Sequence, residues 1–196
     1  FHHLNRNIRR GLRETFAFKA GQHLTFRREI GGEELRRNYS VCVSPSEGVL
    51  KIGVKKTAGG AFSGWVNDEL KAGDVVEVMA PHGSFCWSFA PDARREYVAF
   101  AGGSGITPIL SLLKTALSHE PKSRFTLFYG NRNSMGVMFL EEIAALKDSY
   151  LDRLVRTNEL LDPTATRTQV SRIASATWRA TREALRSVSE FPRQLG

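Results

Sequence analysis

The sequence predicts an antiparallel β-barrel followed by a parallel-sheet α/β domain. Three observations carry this prediction. Up to about residue 93 the chain alternates short β-branched or aromatic runs with glycine and proline turns, and it holds one short amphipathic stretch. From residue 94 the order becomes apolar strand, glycine loop, helix, strand, helix, which implies parallel strands with right-handed crossovers. The 196 residues suffice for one large or two small units with a real core.

The elements follow in order. Residues 23–27, 38–43 and 49–55 read as strands, separated by Gly31-Gly32 and by Ser44-Pro-Ser-Glu-Gly48. Residues 74–79 read as a fourth strand. Before it, Phe62, Trp65, Val66 and Leu70 fall on one apolar helical stripe. In the second half, 96–101 reads as a buried strand and 108–118 as a helix whose apolar face is Ile109, Leu112, Leu113, Ala116 and Leu117. Residues 124–129 form the next strand and 137–147 the next helix. The last 45 residues hold eight Arg and no Lys, and one helix, near 172–188, is expected there. The parallel sheet is therefore expected to stop after two strands. The implied domains are 1–93 for the barrel, 94–152 for a truncated α/β unit and 153–196 for an atypical Arg/Thr/Ser-rich tail.

Charge and cysteine content narrow the function. Lys and Arg total 28 against 20 Asp and Glu, a net charge of +8. A basic surface attracts anions. The basic residues are dispersed, so nucleic acid is not an expected partner; a dinucleotide or an acidic redox protein suits better. No apolar run of about 18 residues and no basic-then-apolar leader occur, so no membrane partner and a cytoplasmic location are expected. Cys42 and Cys86 are too few for an iron–sulfur cluster or a structural zinc site in this chain, so no metal site is expected. Free thiols are expected in preference to a disulfide.

Four constellations bear on chemistry. Ala101-Gly-Gly-Ser-Gly-Ile-Thr-Pro108 lies between a strand and a helix. Gly102, Gly103 and Gly105 let backbone approach a bulky anion, Thr107 is placed to cap the helix, and Pro108 suits its first turn. This is a diphosphate cradle without the G-x-G-x-x-G spacing; a tight turn with no ligand is the alternative. Tyr129-Gly-Asn-Arg132 ends the next strand, where ligands of such sheets bind. Arg132 there either holds a ribose 2′-phosphate or lies solvated in its loop. In Arg36-Arg-Asn-Tyr-Ser40, Arg37 and Tyr39 share a strand face, a cation and a ring that suit a phosphate and a flat ring. An edge strand with a half-buried tyrosine is the alternative. In Lys55-Lys-Thr-Ala-Gly-Gly-Ala-Phe-Ser63 a glycine pair precedes a helix, with Ser63 near its cap: a second anion cradle or an ordinary turn. Two cradles in separate halves, with an Arg/Tyr strand, point to two nucleotide-like ligands.

Taken in order, these motifs resemble the ferredoxin–NADP⁺ reductase superfamily. Arg37-Asn-Tyr-Ser40 looks like its flavin strand, Gly60-Ala-Phe-Ser63 like its second flavin-phosphate motif, and Ala101–Pro108 like its nicotinamide-nucleotide loop. The stretches 22–26, 33–40 and 124–132 resemble reductase components that serve oxygenases of aromatic degradation. The match runs from about Phe16 to Arg153. The resemblance implies an FAD-binding barrel, an NAD(P)-binding α/β domain, hydride transfer from NADPH or NADH to FAD, and an oxygenase component or ferredoxin as electron acceptor. It implies that Arg37 holds the FAD diphosphate, that Tyr39 stacks on the isoalloxazine and that Ser40 hydrogen-bonds near its N5. Lys55, Gly60, Phe62 and Ser63 would complete the flavin site. Gly102, Gly103, Gly105 and Thr107 would place the nicotinamide nucleotide, and Arg132 favours NADPH. Tyr39, Ser40 and Thr107 are the candidate catalytic residues, acting by position rather than by acid–base chemistry. The family's first strand pair is expected to be incomplete before Phe16, and the tail after Arg153 reads as a truncated or frame-shifted end. A catalytically inactive flavin-binding fragment and a basic adaptor binding acidic proteins or nucleic acid are the other readings.

Overall fold

The computed structural model describes residues 2–6, 13–132 and 136–160. Its first unit holds β1 (His2–Arg6), β2 (His23–Ile30), β3 (Glu33–Ser40), β4 (Leu50–Val54), α1 (Ala61–Asp68) and β5 (Glu77–Val78). Gly31 and Gly32, with φ of 61° and 81°, make the two-residue turn of the β2–β3 hairpin. β2 also pairs with β5, β1 pairs with β4, and the Val41–Ile52 bridge joins the chain just past β3 to β4. All these pairings are antiparallel. Leu24, Phe26, Val41, Val43, Ile52 and Val54 meet Phe62, Trp65 and Val66 of α1 in one apolar core. The strand expected at 38–43 corresponds to β3. It begins instead at Glu33, because the tight turn commits the charged residues 33–37 to the hairpin. The strand expected over 74–79 is only Glu77–Val78.

The second unit holds β6 (Glu96–Gly102), α2 (Ile106–His119), β7 (Arg124–Asn131), α3 (Leu140–Ser149) and β8 (Leu154–Leu160). Its sheet runs β6-β7-β8, all parallel. This corrects the expectation that the sheet stops after two strands: β8 extends it past residue 152. β8 is hard to read along the chain because it is a largely polar strand at the edge of the sheet among the described residues. Leu154 is its buried anchor, while Val155 is 55% exposed and Arg156 interrupts the apolar run. The helix expected near 172–188 lies outside the described residues.

α2 is buried on nearly every side. Leu110, Leu113 and Leu117 pack with Phe125, Leu127 and Tyr129 of the sheet. Its polar residues Ser111 and Thr115 are also buried, and they face the barrel. At the opposite end of the sheet, Glu120 is 0% exposed and accepts from Arg95 (2.7 Å), Tyr97 (3.0 Å), Ser123 (2.7 Å) and the Ala90 N–H (3.1 Å). This knot ties the segment entering β6 to the end of α2. Among the described residues no helix is long and apolar enough to cross a membrane.

Candidate functional site

The site residues fall into two clusters. The β2–β3 register sets Phe26 opposite Arg37 and Leu24 opposite Tyr39, so the Arg/Tyr pair shares the face of two buried apolar residues. The Tyr39 ring lies 5.9 Å from Phe26 and 5.9 Å from Phe62, which seats it half-buried against the first turn of α1. Burial pushes the Tyr39 hydroxyl pKa up, and the nearby Arg37 charge offsets part of that rise. Arg37 is exposed. It donates one hydrogen bond to the Arg36 carbonyl, at 2.7 Å, and its guanidinium has further N–H groups to offer. Ser40 ends β3, half-buried, opposite His23.

The turn into α1 is more self-contained than its sequence suggested. Gly60 is the helix N-cap, and a Cβ there would meet Ser63 Oγ at 2.6 Å. Ser63 Oγ accepts from the Thr57 N–H (3.1 Å) and donates to the Gly60 carbonyl (3.2 Å). Gly60 therefore serves the packing of its own turn. Phe62 is 2% exposed with its ring in the core. What α1 presents outward is its first-turn N–H groups, which have no intrahelical partners.

The second cluster sits at the carboxyl ends of the parallel strands. β6 and β7 end together, Gly102 beside Gly130, so the glycine loop and the exposed Arg132 leave the sheet at one edge. Gly103 has a φ of 51°, and a Cβ at Gly102, Gly103 or Gly105 would meet nothing within 4 Å. Their backbone is thus open to a close-approaching group. Thr107 was expected to cap α2, and here the structure differs. The 103–105 turn starts the coil early, α2 begins at Ile106 with Gly105 as its N-cap, and no side chain caps it. Thr107 lies inside the first turn and donates to the Ser104 carbonyl at 3.0 Å. The Ile106 N–H is taken by the Gly103 and Ser104 carbonyls and Pro108 has none, so what this end offers a ligand is the open backbone of the glycine turn itself.

Two residues of this cluster were missed. Tyr129 is 1% exposed; its hydroxyl donates to the Gly103 carbonyl (3.0 Å) and accepts from the Met138 N–H (3.1 Å). It pins the glycine loop from below. Asn131 is 5% exposed, and among the described residues its Oδ1 has no hydrogen-bond partner, which leaves a buried acceptor at the loop edge. Both belong to Tyr129-Gly-Asn-Arg132, in which the arginine charge had drawn attention.

A path of contacts joins the clusters. Lys55 Nζ donates to the Gly136 carbonyl at 2.9 Å. A Cβ on Gly53 would lie 2.6 Å from Phe139 Cζ and 3.0 Å from Met138 Cε, so β4 abuts the 136–139 segment that Tyr129 ties to Gly103. Elsewhere, an apolar cavity of about 310 Å³ lies along β6, lined by Phe85, Trp87, Phe100 and Leu112 among others, and holds none of the expected site residues. Cys42 and Cys86 are free, and burial pushes the Cys42 thiol up to about 12, which makes it inert.

Comparison with known proteins agrees with this layout. The oxidoreductase FAD-binding domain family matches residues 10–87, and the oxidoreductase NAD-binding domain family matches residues 100–185. A 1,2-phenylacetyl-CoA epoxidase component from Escherichia coli (strain K12) is 46% identical over 145 residues, 73% of this chain and 40% of the relative. The ferredoxin reductase component of 3-ketosteroid-9-alpha-monooxygenase from Rhodococcus rhodochrous is 37% identical over 147 residues, again 73% and 40%. The chain thus spans 40% of the length of these relatives. Ferredoxin-NADP⁺ reductase from Plasmodium falciparum shares the fold at a TM-score of 0.67 and 22% identity, over 80% of this chain and 64% of that one. The cytochrome b5 reductase domain of Ulva prolifera nitrate reductase gives 0.61 at 25% identity, over 71% and 60%. Both halves and their order agree: the chain belongs to the oxidoreductases that pair an FAD-binding with an NAD-binding domain, and it shares the fold of ferredoxin-NADP⁺ reductase.

Proposed function

We propose that this chain is a flavin-dependent NAD(P)H oxidoreductase that feeds electrons to a ferredoxin or oxygenase component in aromatic degradation. The Escherichia coli relative suggests phenylacetyl-CoA epoxidation as the setting. The observation that carries the reading is the open Gly102–Gly105 backbone at an uncapped helix N-terminus, tied through Tyr129, Met138 and β4 to the unit bearing Arg37 and Tyr39. The residues fit both groups: an exposed guanidinium beside a half-buried ring for FAD, and an open backbone with the orphan Asn131 acceptor for a nicotinamide nucleotide.

When bound, FAD supplies an acceptor for hydride and a donor of single electrons. Arg37 supplies positive charge for the diphosphate, together with the first-turn N–H groups of α1. Tyr39 offers a ring face to the isoalloxazine, and Ser40 a hydroxyl at its edge. The Gly102–Gly105 backbone and the N-terminus of α2 receive the nicotinamide dinucleotide, with Thr107 bracing the first turn. Arg132 gives the 2′-phosphate of NADPH a bidentate partner. Residues 1–93 form the flavin domain and 94–152, with β8, the nucleotide domain. The two free thiols support a cytoplasmic setting.

The visible spectrum of the purified chain tests this reading. Flavin-loaded protein absorbs near about 450 nm, and anaerobic NADPH bleaches that band. A folded, colourless chain that FAD cannot reconstitute would favour the silent fragment. Bleaching by NADH alone would remove the role given to Arg132.

A further inference from the structure

α2 starts at the nicotinamide loop and ends far from it, so whatever holds α2 holds that loop. Ser111 lies six residues past Gly105, about 9 Å along the helix axis. Its hydroxyl, 0% exposed, donates to the Val43 carbonyl at 2.6 Å. Val43 lies three residues past Ser40, about 10 Å along the flavin strand's continuation. One turn further along α2, the Thr115 hydroxyl donates to the Ser111 carbonyl of its own helix at 2.7 Å and lies 3.1 Å from Ser44 Oγ, whose proton it can accept. Between them, the Lys114 ammonium contacts both Glu47 carboxylate oxygens, at 3.1 and 3.3 Å, and also bonds Glu142 of α3. The Lys114 side chain is only 10% exposed.

A helix that needed only burial would present Leu and Ala here. Buried polar groups are unfavourable unless they are bonded, and their bonds are directional, so they fix where one body sits on another while apolar contacts tolerate sliding. We propose that Ser111, Lys114 and Thr115 form a positioning clamp that sets the height of the nicotinamide loop over the flavin strand. The inference rests on the function proposed above. In the reaction being positioned, a hydride, that is one proton with two electrons, leaves C4 of the dihydronicotinamide and is taken up by the flavin, which leaves the oxidised nicotinamide and the reduced flavin anion. Ser111 and Thr115 are buried, and Lys114 largely so, at the contact between the two units, beside Val43, Ser44 and Glu47. They act through Gly103–Thr107 on one side and Arg37–Ser40 on the other. Misplacement by about 1 Å slows such a reaction by up to roughly a hundredfold.

The test is the full chain with Ser111→Ala and Lys114→Met combined, beside Lys114→Arg and Thr115→Ser as conservative controls. In single-turnover flavin reduction, the double variant should keep its FAD content and its half-saturating NADPH concentration, while its limiting rate falls at least roughly tenfold. The controls should stay within about threefold of the wild type. A double variant with the wild-type limiting rate overturns the clamp, as does one that loses FAD, because the contact would then serve flavin retention. Calorimetry gives a readout independent of the cofactor. The apo wild type should melt in one transition and the double variant in two, as uncoupled domains do. If the wild type never reduces flavin, the proposed function fails and the clamp is judged by calorimetry alone; one unchanged transition in the double variant then overturns it.

Discussion

Gly102→Ala separates a ligand-binding loop from a merely tight one. Gly102 has a φ of −126° and a ψ of 124°, an extended backbone that alanine adopts freely, and its Cβ would meet nothing within 4 Å. Folding should therefore be unharmed, or gain about 0.5–1 kcal/mol from the stiffer unfolded chain. For a chain of this size that is at most about 4 °C in Tm. If the loop cradles a diphosphate, the new methyl occupies the ligand's space. Overpacking of that kind costs about 1–3 kcal/mol, or roughly five- to 150-fold in affinity. The assay is a thermal melt of the apo chain beside an NADPH titration of flavin bleaching. An unchanged melt with weakened NADPH binding supports the cradle. Wild-type NADPH affinity in this variant refutes it, because no folding defect is there to blame. Gly103→Ala is a poorer probe, since its φ of 51° imposes a strain of about 1–2 kcal/mol whatever binds.

Arg132→Ala should raise the half-saturating NADPH concentration at least about tenfold and leave NADH within about twofold, read from the same titrations; equal losses would place the arginine elsewhere. Arg37→Ala should empty the protein of flavin while moving the apo melt by less than about 0.5 kcal/mol, because the side chain is exposed. Gly53→Ala should lower Tm by several degrees, as its methyl would fall 2.6 Å from the Phe139 ring; overpacking costs about 1–3 kcal/mol. Glu120→Gln should destabilise by about 2–4 kcal/mol near neutral pH, read by chemical denaturation. Burial pushes the Glu120 carboxyl up, but Ser123, the Ala90 N–H, Tyr97 and the Arg95 charge more than offset it and hold it below its ordinary 4.5. A carboxylate depressed on folding stabilises above its unfolded pKa and loses that contribution as pH falls through the folded value. The gap between wild type and variant should therefore close only below about pH 4.5, and a gap independent of pH would show that Glu120 is not ionised.

The fold was legible where local rules and burial agree. Gly31-Gly32 marked its hairpin because two positive φ values in a row favour glycine, and the 109–117 stripe marked α2 because its apolar face is also its packed face. Legibility failed where pairing overrides composition. Residues 33–37 are charged, yet the turn before them sets their register against β2. β8 is held by parallel pairing with β7 and one buried leucine, a signal too thin to see along the chain. The capping role of Thr107 failed because the glycine turn starts the coil early and sets the N-cap at Gly105, two residues before the threonine.

The candidate site divides the same way. Motifs that act through backbone, such as Gly102–Gly105, announce themselves because glycine is needed where something must come close. Residues that act through a single distant bond do not. Tyr129 reads as one more aromatic on a buried strand until its hydroxyl is found on Gly103, and Ser111 reads as a gap in an apolar stripe until Val43 is found opposite. Both bonds reach across the fold, one beneath the glycine loop and one between the two units. A polar residue buried inside an otherwise apolar helix face is therefore the sequence feature that most needed a partner, and Ser111 and Thr115 together marked the side of α2 on which the barrel docks.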